Sequence, residues 1–73
     1  MVSKAVYRFY KFSKTLGRNA YIGVLFFKGR FHFCDTSKQN YQLYRDLYPD
    51  GFVGAYTSDV DVQDLIDDMK EFV

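Results

Sequence analysis

The sequence predicts a small α+β domain, a mainly antiparallel four-stranded sheet with two helices in the order β-β-β-α-β-α, built as one unit over residues 1–73. Three observations predict it. Residues 5–12, 21–27 and 30–34 are short runs of aromatic and β-branched residues separated by polar or glycine-containing connections. Lys28-Gly29 is a turn signal placed between two of these runs. Val62, Leu65, Ile66, Met69 and Val73 then recur at the spacing of one helix face, with Phe72 at its edge.

Each element follows from its residues. Over 5–12, alternation places Ala5, Tyr7 and Phe9 on one face of a strand and Val6, Arg8, Tyr10 and Phe12 on the other. Residues 13–19 are a connection. Residues 21–27 are apolar on both faces, as a central strand requires. Arg30 to Cys34 returns as the second arm of a hairpin. Thr36-Ser37-Lys38-Gln39 has the spacing of a capping box, and Tyr41, Tyr44, Leu47 and Tyr48 continue at helical spacing. Pro49 disfavours the helical conformation of the residue before it and ends that helix. Residues 52–56 form a short strand weakened by Gly54. Ser58, followed by Asp61, is placed to cap the final acidic helix.

Composition limits what such a chain can be. A domain of 73 residues buries about 60% of the surface its unfolded chain exposes, so its core must be built from large side chains. Eight Phe and seven Tyr supply them, and some of the Tyr are expected at the surface. One cysteine, Cys34, excludes an intramolecular disulfide framework and fits a reducing cytoplasm. The N-terminal residues lack the apolar stretch of a signal peptide, and the run over 21–27 is too short to span a bilayer. The net charge of +1 conceals a division. Residues 1–38 carry eight Lys or Arg against Asp35 alone, whereas residues 39–73 carry two bases against eight acids. Segregation of this kind can steer a partner.

The residues that carry chemistry are few. His32 and Cys34 would share a strand face about 6–7 Å apart along it, too far for a dyad in contact and with no third group to orient the imidazole. Two such ligands do not make a zinc site, and no Gly-rich phosphate loop is present, so neither metal, cofactor nor catalytic residue is expected. A segment running from Ile22-Gly23-Val24-Leu25-Phe26 through Gly29, Phe31, Phe33, Tyr41-Gln42-Leu43-Tyr44, Leu47 and Gly51-Phe52 resembles the small KTSC-type domain over about half of the chain. Asp35-Thr36-Ser37 stands where that family usually has Val-Pro before the helix. The family has no settled catalytic role, so the resemblance implies a hairpin followed by a short helix, and no site.

By elimination the chain reads as a non-enzymatic protein that docks on and inhibits or modulates a larger protein or protein–nucleic-acid machine. Its size and composition match the style of small inhibitors encoded by phages or mobile elements. Interfaces favour Tyr and Arg, which nominates Arg8, Tyr10, Tyr41, Tyr44 and Tyr48, with Asp61, Asp64, Asp68 and Glu71 as a second docking face for a basic groove. The alternative is a single-stranded nucleic-acid platform using Arg8, Tyr10, Lys28, Arg30 and His32, where rings stack on bases and cations meet phosphates. A dimer through an unpaired sheet edge or a Tyr patch is the oligomer such a chain admits.

Overall fold

The structure, a computed structural model, describes residues 2–36 and 41–73. It is an α+β fold in the order α1 (Val2–Leu16), β1 (Ile22–Phe27), β2 (Arg30–Asp35), α2 (Tyr41–Leu47), β3 (Phe52–Tyr56) and α3 (Val62–Lys70). The expected antiparallel sheet is present, but among the described residues it has three strands, and there are three helices. The first expected strand is helical. The residues of α1 that meet the core are Val2, Ala5, Val6, Phe9, Tyr10, Phe12, Ser13 and Leu16, which is a period near 3.6 and not 2. Gly17, at φ 97°, ends this helix, and its N–H donates to the Ser13 carbonyl at 3.1 Å. A left-handed residue that returns a hydrogen bond to the last turn is a standard helix stop, and glycine adopts that φ without a Cβ clash.

The strand order is β2-β1-β3, with both pairings antiparallel. β1 is thus central, as its two-sided apolar pattern predicts. Lys28 and Gly29 both have positive φ (53° and 77°), the backbone of a two-residue hairpin turn whose twist matches its strands. That turn fixes the register from Phe27 opposite Arg30 to Ile22 opposite Asp35. The β1–β3 register shifts between Val24 and Leu25, which pair with Gly54 and Phe52, so Val53 is the extra residue of a bulge.

α1 and α3 pack side by side on one sheet face, α1 over β2 and α3 over β3. Beneath them lie Ile22, Val24 and Phe31, against which α3 sets the fully buried Leu65 and Met69. Phe9 is the hub of this core. It is wholly buried and meets Tyr10, Phe33 and Tyr56 edge-on at 5.1, 6.0 and 6.2 Å between ring centroids. Such edge contacts add to the area that the rings bury. The final helix keeps the expected stripe at Leu65, Ile66 and Met69, but Val62 and Val73 are exposed. Its cap is Asp61 and not Ser58: the Asp61 side chain accepts from the Gln63 N–H at 2.8 Å. The expected capping box for α2 falls on Ser37, Lys38 and Gln39, outside the described residues. Thr36 itself donates its hydroxyl to the Tyr21 carbonyl at 2.8 Å.

Candidate docking surface on the α1–β2 flank

The helical form of α1 redistributes the residues nominated from sequence. Arg8 and Tyr10, two residues apart, face in different directions on a helix. Tyr10 turns toward the loop before α3 and donates its hydroxyl to the Val60 carbonyl at 2.9 Å. Burial, and then the charge of Asp61, push its phenol upward. Arg8 lies on the opposite flank, its guanidinium carbon 5.4 Å from the centroid of the Phe33 ring on β2. The shared face expected for these two residues is not formed.

Tyr44 on α2 and Tyr48 just after it lie on the far side of the sheet. The Tyr44 phenol and the Cys34 thiol interact, and the thiol donates to the Gly23 carbonyl at 3.7 Å. Burial pushes the Cys34 thiol above its ordinary value, so at neutral pH it is a protonated packing group and a poor nucleophile. Tyr48 meets Phe27 edge-on at 5.9 Å. Nothing is described of the Tyr41 side chain. Lys28 sits over the Phe27 ring at 5.4 Å, and the His32 ring is 6.4 Å from the same ring. These two residues belong to the far sheet face and do not join Arg8 and Tyr10.

Much of the acidic face has structural work. Asp61 is the helix cap, Asp68 accepts from the Tyr56 hydroxyl at 2.8 Å, and Asp67 accepts from the Gln63 amide at 2.9 Å. Asp64 and Glu71 are exposed. Among the described residues, no group of three or more His, Cys, Asp and Glu side chains is placed to hold a metal ion. Nor is any helix long and apolar enough to cross a membrane.

What the fold does bring together is a basic flank that alternation on a strand could not reveal. Lys4, Arg8 and Lys11 follow one another at helical spacing along the exposed side of α1, and Arg30, paired with Phe27 at the hairpin end of β2, borders a groove that Lys4 and Arg8 also line. Two grooves run along the α1–β2 seam. One is lined by Lys4, Ala5, Arg8, Phe26, Arg30 and Phe31, and a more open one by Arg8, Lys11, Phe12, Thr15 and Phe33. Arg8 is the divider common to both. Among the described residues, neither groove is lined by an acidic side chain. The signal that could have exposed this flank is the 4, 8, 11 spacing of the bases together with Gly17 as a helix stop. No family model, curated protein or solved structure matches this chain.

Proposed function

We propose that this chain is a non-enzymatic docking module that engages an acidic surface of a larger protein through its α1–β2 flank and blocks or modulates what that surface does. The observation that carries the reading is the convergence of Lys4, Arg8, Lys11 and Arg30 on grooves floored by aromatic rings. Arg beside apolar pockets is the composition of interface hot spots once a partner covers it. The acidic helix is a lesser candidate, because Asp61 and Asp68 are engaged inside the domain. Cytoplasmic action, in a host cell for an element-encoded inhibitor, belongs to this proposal, as does the KTSC-type resemblance across residues 22–52.

The test is fluorescence anisotropy with labelled poly-glutamate and labelled single-stranded DNA at low and near-physiological salt. Binding to poly-glutamate that weakens with salt and is lost in the triple variant Lys4→Glu, Arg8→Glu, Arg30→Glu supports the reading. Absence of binding to poly-glutamate at low salt sinks it. Tighter binding of the DNA, with a steep salt slope, would instead establish the nucleic-acid reading.

A further inference from the structure

The groove between α1 and the β1–β2 hairpin has a composition that specifies more than charge. Its floor is Ala5, Phe26 and Phe31, of which Ala5 and Phe31 are buried and Phe26 is half-buried. Lys4, Arg8 and Arg30 stand at its rim with Gly29 and Val73, all exposed. Its volume is about 160 Å³. An apolar cavity of about 150 Å³ is enough to admit a benzene ring. A purely polyanionic ligand would meet the rim and leave the floor uncovered, whereas a purely apolar one would leave three cations without partners.

Resting on the docking reading above, we infer that this groove takes one large apolar side chain, preferably aromatic, from an acidic segment of the partner protein, while the carboxylates flanking that side chain meet Lys4, Arg8 and Arg30. Charge complementarity chooses the flanking residues, and the size and lining of the groove choose the anchor. Arg8 lines both grooves, and its guanidinium carbon lies 5.4 Å from the Phe33 ring of the adjoining one, a contact that limits its freedom before any partner arrives.

Three labelled pentapeptides test the inference by anisotropy: one phenylalanine between two pairs of glutamates, alanine in place of that phenylalanine, and the phenylalanine between pairs of glutamines. The first is expected to bind at least about tenfold more tightly than the second, the order of effect that burying one Phe side chain gives. It is also expected to outbind the third at low salt, with that advantage shrinking as salt rises. In the ¹⁵N-labelled protein, the Gly29 and Ala5 amides should shift on titration with the first peptide. Arg30→Met, which keeps an apolar stem but removes one of the three charges, should reduce the preference for glutamates while preserving the preference for phenylalanine. Equal binding of the first two peptides overturns the inference yet leaves the docking reading standing. If none of the three binds and poly-glutamate also fails, both fall together.

Discussion

Tyr56 shows how one side chain can tie the sheet to the last helix. Its ring packs edge-on against Phe9, and its hydroxyl donates to Asp68 on α3. Burial first, and then the hydrogen bond to Asp68 and that group's negative charge, hold the phenol well above its ordinary value. A raised native pKa means that the folded state retains the proton more firmly than the unfolded chain. The resulting stability is complete below the unfolded phenol value of about 10 and is lost as pH climbs from there toward the native value. Cys34 is raised as well and acts in the same direction, starting from its ordinary value of 9.0. Stability measured by urea unfolding should therefore fall between pH 9 and pH 11. Tyr56→Phe should lose about 1–2 kcal/mol at pH 7, because the Asp68 carboxylate is left without its donor, and should fall less steeply above pH 10. An unchanged alkaline slope in that variant would remove Tyr56 from the account.

At the scale of elements, α1 is the instructive case. Residues 5–12 are rich in Val, Phe and Tyr, whose strand preference is real but weak, and they alternate well enough to suit a sheet. Packing overrode that preference: Phe9, Ala5 and Val6 gain more by lying against Ile22, Leu65 and Met69 than a fourth strand would gain at a sheet edge. The hairpin, the α2 stop at Pro49, the short β3 and the α3 stripe were legible because each rests on a local rule, whether a turn, a breaker or a period. The basic flank was not legible because it depends on α1 being a helix. Two substitutions at the exposed Tyr7 separate the alternatives. Tyr7→Pro should cost about 3 kcal/mol or more in a helix interior, whereas Tyr7→Ala should be neutral or slightly stabilising, the reverse of its effect in a strand. Thermal melts of both variants, followed by far-UV circular dichroism, read the difference. The start of α3 is open to the same kind of comparison. Asp61→Ala should cost about 1 kcal/mol through loss of the cap, and Ser58→Ala should cost much less. Equal losses would return the cap to Ser58.

For the whole molecule, the charge division of the sequence becomes a division in space. The bases of α1 and Arg30 lie on the β2 side of the domain, and the acids of α3 lie on the β3 side. A net charge of +1 therefore understates how strongly each flank interacts. At pH 7 and low salt the protein should be retained by both cation- and anion-exchange resins, and charge reversal of Lys4, Arg8 and Arg30 should abolish retention only on the cation exchanger. Passage through both resins without delay would mean that the two sets neutralise one another. The same arrangement orients an approaching acidic partner before contact, because the field turns the α1–β2 flank toward it.

The pairing of α1 with α3 also has a consequence for how the chain is made. The apolar side of α1 is completed by Leu65 and Met69, more than forty residues later in the sequence. At ordinary translation rates that delay lasts roughly 2–10 s. During this interval Val6 and Phe9 lack the part of their cover that α3 supplies. A ribosome-bound chain halted before Leu65 should accordingly be protease-sensitive and a ready client for chaperones, and protection should appear in one step once α3 clears the exit tunnel.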